Sequence, residues 1–320
     1  MTDLPKTVEI SEEGPREGFQ FEQRIITSAR KIELIEALAE TGLSTIQAVS
    51  FVSPKRVPGW ADADQVVEGL RPRAGVAYTA LWLNEKGLVR ALAHRDKLAL
   101  AGSISMCASE PFMQRNQNRD FAENDGVQAR QIALCQQHGV PVEQISVMAA
   151  FGCNFAGEVP IKTVLDVIER GCRIAAENGL EIHRIALADT MAWATPADIR
   201  QRVGAVRARW PEAEISLHLH DTRGQGIACA YAGLELGVRH FDAAVAGLGG
   251  CPFAGHKGAA GNVCTEDLVF MCEEMGIRTG IDLERLIEVA NLAEAIVGHP
   301  LPGAVMHGGS LARFRNVRAA

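Results

Sequence analysis

The sequence predicts an α/β protein whose eight β/α units close into a (β/α)8 TIM barrel. Short apolar runs alternate with longer stretches of helical period from the start of the chain to about residue 280. Strict alternation forces parallel strands with helical crossovers, and eight units close a barrel more naturally than they form an open sheet. The 320 residues suit one such domain. We expect the barrel over about 5–280, and an extra C-terminal helix and tail over 281–320.

The apolar runs are the predicted strands, at 7–13, 45–51, 76–83, 98–105, 145–151, 184–190, 215–221 and 241–247. Amphipathic stretches between and after them predict helices, among them 28–40, 161–177 and 282–297. Asn178-Gly179 is a typical helix stop after the second of these. A doubly wound sheet is the alternative, but no GxGxxG motif opens the first helix.

Composition excludes several classes of function. A net charge of −7 argues against a nucleic-acid binder, which usually has a basic stripe. No run of about 18 apolar residues indicates a membrane span. The N-terminus does not resemble a secretory signal, and the eight cysteines form no CxxC pair. We therefore expect a cytoplasmic protein with reduced cysteines and no nucleic-acid or membrane partner.

The end of the seventh strand carries two histidines. His218 and His220 are two residues apart, so both side chains leave the same face of the strand. Active sites of (β/α)8 barrels lie at the C-terminal ends of the strands. Two imidazoles there, beside carboxylates, are typical of a divalent-metal site. The alternative, a pair of hydrogen-bonded core histidines, is weakened by the carboxylates that follow the first strand.

Those carboxylates belong to the segment that follows the first strand. Glu17 is the predicted oxygen ligand, and Arg16 beside it is a fixed cation suited to a thioester oxygen or a developing enolate. Without its position after a strand, between Gly14 and Gly18, the same pair would be interpreted as part of a surface loop.

A glycine-rich segment follows the eighth strand, from Gly247 onward. Glycines allow the backbone to approach a ligand closely. Cys251, framed by glycines and a proline, is a candidate acid or base. Asn262 offers a neutral oxygen to a metal, and Glu266 and Asp267 fit equally well as caps of the next helix.

Over nearly its whole length the chain resembles the 3-hydroxy-3-methylglutaryl-CoA lyase family, a branch of the barrel metallolyases that also holds isopropylmalate and homocitrate synthases. The matching motifs are EEGPREGFQ at 12–20, SFVSPK at 50–55, SE-x-F-x-x-x-N at 109–116, HxHDT-x-GQ at 218–225, GLGGCP at 247–252 and GN-x-x-TEDL at 261–268. The resemblance implies a retro-Claisen cleavage of a 3-hydroxyacyl-CoA thioester with bound Mg2+ or Mn2+. By analogy with barrel enzymes of this group, we expect a homodimer.

The same resemblance assigns roles by position. Arg16 would stabilise the enolate of the departing acetyl-CoA, Cys251 would supply its proton, and Asp189 would handle the hydroxyl proton. The matching metal ligands are Glu17, His218, His220 and Asn262, and Gln20 and Thr190 would lie near Asp189. Lys55, Arg56 and Lys257 are candidate contacts to the phosphates of CoA.

The chain also departs from the family pattern. Glu17 stands where Asp is usual, Gln47 replaces a glutamate of the second strand, and Arg223 replaces an aromatic residue. The glycine-rich loop is longer and carries His256 and Lys257, and the sixth-strand loop carries bulky Met191 and Trp193. The added cations and the bulkier loop suggest a related substrate, such as citramalyl-CoA or a longer branched 3-hydroxyacyl-CoA.

Two other functions fit parts of the pattern. One is a synthase that condenses acetyl-CoA with a 2-oxo acid, although the long synthases of this superfamily carry additional C-terminal domains. The other is a non-catalytic binding relative, which Glu17 and Gln47 would favour. Metal binding without turnover of any acyl-CoA would identify the non-catalytic relative.

Overall fold

The structure is a computed structural model that describes residues 4–22, 24–249 and 261–315. Its eight strands are β1 Glu9–Glu12, β2 Thr45–Ser50, β3 Ala77–Leu81, β4 Gly102–Cys107, β5 Val142–Met148, β6 Arg184–Asp189, β7 Glu214–Leu219 and β8 His240–Ala243. Every predicted strand is present. The largest shifts at one end, of four residues, are in β4, which begins at Gly102, and in β8, which ends at Ala243. Just before Gly102 the chain makes a single link to β3 instead of pairing with β5.

The barrel closes through pairing of the first and last strands. The hydrogen-bonded order is β3-β2-β1-β8-β7-β6-β5-β4, and every ladder is parallel. At the seam between β3 and β4, the Ala99 N–H donates to the Tyr78 carbonyl at 2.8 Å. The predicted TIM barrel is therefore confirmed, with one irregular seam.

The helices that surround the strands are α1 Gly14–Phe21, α2 Ser28–Ala39, α3 Ala63–Gly69, α4 Glu85–Leu92, α5 Glu110–Gln117, α6 Phe121–Gln137, α7 Ile161–Glu177, α8 Pro196–Arg209, α9 Gly226–Glu235, α10 Thr265–Glu274, α11 Leu283–Val297, α12 Ala304–Gly308 and α13 Ala312–Arg315. Short 3-10 turns span Pro58–Trp60 and Val245–Gly247. The three named helix predictions, now α2, α7 and α11, are confirmed to within one residue. None of the described helices is long and apolar enough to cross a membrane.

Packing explains why the polar groups collect at one end of the barrel. Helices bury apolar stripes against the strands, as α7 does with Val164, Val167 and Ile168. Along β7 the buried apolar residues Ile215, Leu217 and Leu219 alternate with the more polar set that ends in His218 and His220. The strands are thus held by apolar contacts, and their C-terminal ends are left for polar side chains.

Candidate metal centre and active site

Three side chains from two elements face one another at the C-terminal end of the barrel. The Nε2 atoms of His218 and His220 are 3.4 Å apart, with the rings nearly perpendicular. Glu17 of α1 lies with Oε1 3.4 Å from Nε2 of His220 and Oε2 3.9 Å from Nε2 of His218. One ligand atom from each residue lies within 4.8 Å of the others, which is compact enough for a single metal ion.

The opposite ring nitrogens determine which nitrogen is available to a metal. Nδ1–H of His220 donates to the Thr190 carbonyl at 2.8 Å, and Nδ1–H of His218 donates to Asp242 at 3.2 Å. In the neutral rings both Nε2 lone pairs are therefore directed toward Glu17. Sequence reasoning missed Asp242, although a carboxylate in the otherwise apolar Phe241-Asp242-Ala243 was a usable signal.

Without a metal, His218 is readily protonated. Burial lowers the pKa of His218, but the hydrogen bond to Asp242 and the charges of Glu17 and Glu13 outweigh burial and raise the pKa to about 9. The position is therefore strongly attractive to positive charge, whether a proton or a metal ion supplies it.

Asn262 supplies an independent test of whether these residues fit a metal. It is joined to His220 by a backbone bridge and is 1% exposed. Neither its Oδ1 nor its Nδ2 has a hydrogen-bond partner among residues 4–22, 24–249 and 261–315. A Cβ added at Gly249 would lie 2.8 Å from Cγ of Glu17 and 3.0 Å from Nδ2 of Asn262, so both side chains adjoin one residue. Buried amides are normally bonded, and these four residues together fit a divalent cation.

Arg16 and Glu17 lie in the first two turns of α1 and are not part of a surface loop. Nη2 of Arg16 is 3.2 Å from Oε2 of Glu17, and the Trp60 indole N–H donates to the Arg16 carbonyl at 2.8 Å. Burial raises the pKa of Glu17, but the Arg16 guanidinium and both histidines outweigh burial and hold that pKa well below its usual range. Glu17 is therefore an anion, as a carboxylate ligand to a metal must be.

Glu13 is a site residue that sequence reasoning missed. Its Oε2 accepts a hydrogen bond from Nη2 of Arg16 and lies 3.8 Å from Nδ1 of His218. Nε of Arg16 donates to the Gln47 side-chain oxygen. Burial raises the pKa of Glu13 to about 7, although Arg16 lowers it. The carboxylate that Gln47 lacks is thus supplied to Arg16 by Glu13, and the adjacent Glu12-Glu13 pair was its signal in the sequence.

Asp189 ends β6 beside the two histidines. Its carboxylate accepts the Trp193 N–H at 2.7 Å and the Ala194 N–H at 3.0 Å, and burial raises its pKa. The loop after β6 is further fixed by Thr190, whose Oγ1 accepts the Ala149 N–H at 2.8 Å. In this conformation Asp189 fixes its own loop, and charge on His220 and His218 partly offsets the effect of burial on its pKa.

The bulky residues of the β6 loop bind it to the β5 loop. Met191 is fully buried, and its sulfur accepts the Asn154 N–H at 3.2 Å. The Trp193 indole donates to Oδ1 of Asn154 at 2.7 Å, and its ring covers Gly152 so closely that a Cβ there would clash. These contacts rigidify the mouth of the barrel next to Asp189.

Arg223 holds the same loop from the other side. Its Nη1 donates to the carbonyls of Met191 and Ala192, both at 2.9 Å. Gln20 has a buried Oε1 without a partner among the described residues, and Lys55 is exposed in the segment after β2. The substrate roles of these three residues stay predictions.

Two other predicted residues, Cys251 and Lys257, lie outside the described residues, as does His256. Both ends of the glycine-rich segment lie within the described residues, and there the Gly261 N–H donates to the Gly247 carbonyl at 3.3 Å. Two buried glutamates bind the backbone just before this segment. Glu12 accepts the Val245 N–H at 2.9 Å, and Glu266 accepts the Ala246 N–H at 2.9 Å.

Comparison with known proteins gives a consistent picture. The HMGL-like family model matches residues 7–293. The mitochondrial hydroxymethylglutaryl-CoA lyase of Macaca fascicularis is 39% identical over 295 residues, which cover 91% of this chain and 86% of the relative. The hydroxymethylglutaryl-CoA lyase of Bacillus subtilis is 38% identical over 298 residues, which cover 93% and 96%.

Two solved structures that resemble this chain are also HMG-CoA lyases. The crystal structure of the Bacillus subtilis HMG-CoA lyase superposes with a TM-score of 0.87 at 36% identity, covering 95% of this chain and 98% of that chain. An HMG-CoA lyase from Acinetobacter baumannii, in complex with coenzyme A and 3-methylmalate, gives a TM-score of 0.86 at 35% identity and covers 98% of each chain.

Proposed function

The chain belongs to the HMGL-like family, and from that premise we propose that it is a divalent-metal-dependent carbon–carbon lyase acting on a 3-hydroxy-3-methylglutaryl-CoA-like thioester. The observation that supports this most directly is the set formed by Glu17, His218 and His220, beside an Asn262 side chain that has no partner among the described residues. Oxygen and imidazole ligands suit Mg2+ or Mn2+. When bound, such an ion acts as a Lewis acid toward the hydroxyl and carboxylate oxygens of the substrate.

The proposed reaction is a retro-Claisen cleavage. The hydroxyl on C3 loses its proton, the oxygen forms a carbonyl with C3, and the bond between C3 and C2 breaks. The electron pair of that bond becomes the enolate of the thioester, which then takes a proton at C2. The products are acetyl-CoA and an oxo acid, so that no oxidant or reductant is consumed.

Protein groups suited to each part of this reaction lie around the histidines. Asp189 is the proposed acceptor of the hydroxyl proton, because its burial raises its pKa and makes it a stronger base than an exposed carboxylate. Arg16 is the proposed partner of the enolate oxygen, because its guanidinium is fixed and permanently charged. Cys251, by its place in the glycine-rich segment, is the proposed proton donor to C2.

The acyl group and the CoA carrier define the substrate class. The Acinetobacter baumannii relative holds coenzyme A and 3-methylmalate, and we propose that this chain likewise binds an acyl-CoA. Lys55 and Lys257 are the proposed phosphate contacts. Gln20, Thr190 and Arg223 are proposed to border the acyl group, where the rigid β6 loop would select among branched 3-hydroxyacyl groups.

We also propose an oligomeric state and a cellular location. We retain the homodimer by analogy within the barrel enzymes. We also retain a cytoplasmic location, which agrees with the seven unpaired cysteines among the described residues and with a Mus musculus relative named as the cytoplasmic 3-hydroxy-3-methylglutaryl-CoA lyase.

The test is a coupled assay for acetyl-CoA release from a panel of thioesters. The panel contains 3-hydroxy-3-methylglutaryl-CoA, citramalyl-CoA and a longer branched 3-hydroxyacyl-CoA, each with Mg2+, Mn2+ or EDTA, and a matched thioester without the 3-hydroxyl group as control. We expect metal-dependent release from at least one member and none from the control. Silence across the panel by a protein that still binds Mn2+ would contradict the proposal and favour the synthase direction or a non-catalytic relative.

A further inference from the structure

The guanidinium of Arg16 is held at two of its nitrogens by side chains of different charge. Oε2 of Glu13 accepts a hydrogen bond from Nη2, and the amide oxygen of Gln47 accepts one from Nε. The Arg16 and Glu13 side chains are only 12% and 11% exposed. Glu13 therefore supplies a buried countercharge at Nη2, while Gln47 binds the neighbouring Nε of the same guanidinium without adding charge.

Nη2 of Arg16 also lies close to a predicted metal ligand. Oε2 of Glu17 is 3.2 Å from this nitrogen, and the same Oε2 is 3.9 Å from Nε2 of His218. Glu13 and Glu17 thus share one nitrogen of Arg16, which carries two N–H groups. If Glu13 were neutral, the guanidinium would turn toward Glu17 and occupy an oxygen that faces the histidines.

We propose that Glu13 is a positioning residue whose carboxylate holds Arg16 in place for the thioester oxygen and keeps the guanidinium from moving further onto Glu17, from which it is 3.2 Å away. This inference rests on the proposed function, since it assigns a task to Arg16 in that reaction. It does not depend on Glu13 touching substrate or metal.

In this geometry Glu13 must supply one negative charge beside the guanidinium. Gln and Glu have the same shape, so a carboxylate at position 47 would meet the same guanidinium at Nε. The charge can therefore be moved from the partner of Nη2 to the partner of Nε by Glu13→Gln together with Gln47→Glu. If Glu13 were needed only for packing, Gln47→Glu would not compensate for its loss.

The experiment compares the wild type, Glu13→Gln, Gln47→Glu and the double variant at about pH 8.5, with thermal unfolding, Mn2+ affinity by calorimetry, kcat and KM measured for each. We expect Glu13→Gln to lower kcat by about 10- to 100-fold and Mn2+ affinity by about 10-fold, with a much smaller change in KM. The double variant should recover most of both losses. The matched control is Glu33→Gln, which removes an exposed i,i+3 partner of Arg30 and should leave kcat and Mn2+ affinity unchanged.

Wild-type kcat and Mn2+ affinity in Glu13→Gln would overturn the proposal, and so would a folded double variant as impaired as Glu13→Gln. If Glu13→Gln fails to fold, the double variant decides: near-wild-type kcat supports the proposal, and an inactive protein overturns it. If the wild type cleaves none of the thioesters, the proposed function fails, but loss and recovery of Mn2+ affinity still test the positioning of Arg16.

Discussion

Glu12 and Glu17 are buried glutamates five residues apart, yet their surroundings differ completely. Both oxygens of Glu12 accept hydrogen bonds, from the N–H groups of Gly14 and Val245 and from the hydroxyl of Thr265. The oxygens of Glu17 face Arg16 and the two histidines. Burial raises the pKa of Glu12 to about 7, whereas Arg16 and the histidines overcome burial and keep the pKa of Glu17 well below its usual range.

The contrast separates a structural carboxylate from a ligand. A carboxylate surrounded by backbone N–H groups holds those segments together and needs nothing further. A carboxylate grouped with imidazole nitrogens that present lone pairs calls for a cation. Glu266 stands between these cases, because its Oε2 accepts the Ala246 N–H while its Oε1, like both amide atoms of Asn262, has no hydrogen-bond partner among the described residues.

The largest effect should come from removing a histidine on the ligand side of this comparison. His220→Ala is expected to lower Mn2+ affinity by at least about 100-fold and the rate of thioester cleavage by about 1,000-fold, because several kcal/mol of charge stabilisation are lost. Calorimetry and the coupled assay measure both.

His240→Ala is the matched control. His240 begins β8 at the opposite end of the barrel, where it meets Glu9 and Glu214 at 3.3 and 3.0 Å. Its loss should leave Mn2+ affinity unchanged. Equal losses of affinity in both variants would mean that the His218–His220 pair does not hold the metal.

How far the sequence predicts this arrangement depends on the kind of signal. The alternation of strands and helices, and the HxH spacing on β7, are periodic patterns that fix which face a side chain leaves, so the barrel and the histidine pair were predictable. Asp242 and Glu13 stand out in the sequence as carboxylates beside strand ends, but their roles were not predictable, because these depend on contacts between β8, α1 and β7 that no local pattern encodes. The bonds of Arg223 to loop carbonyls likewise arise only once two loops meet.

A smaller effect is expected on the structural side, at Glu12. Glu12→Ala removes three hydrogen bonds and leaves the buried N–H groups of Gly14 and Val245 without an acceptor. We expect a loss of about 3 kcal/mol in the free energy of unfolding, measured by urea denaturation. Glu17→Ala, the matched change on the ligand side, should instead cost mainly Mn2+ affinity. A Glu12→Ala protein as stable as the wild type would contradict the assignment of Glu12 as a structural carboxylate.

The last prediction concerns the pH dependence of stability and Glu266. Burial raises its pKa to about 8, so the folded protein keeps a proton that the unfolded chain loses near the ordinary value of 4.5. Between these two values the folded state binds more protons, and stability therefore falls as pH rises, by at most about 1.4 kcal/mol per pH unit. Above about pH 8 the cost of the buried charge is fully present.

Glu266→Gln removes this titration while keeping an oxygen for the Ala246 N–H. The variant should therefore lose less stability than the wild type between about pH 5 and 8, and part of the slope should persist because Glu12 titrates in the same direction. Thermal unfolding across this range measures the difference. Glu274→Gln, on the exposed face of α10 beside Arg315, should keep the wild-type slope. Identical slopes in all three proteins would contradict this assignment and show that Glu266 stays ionised across the range.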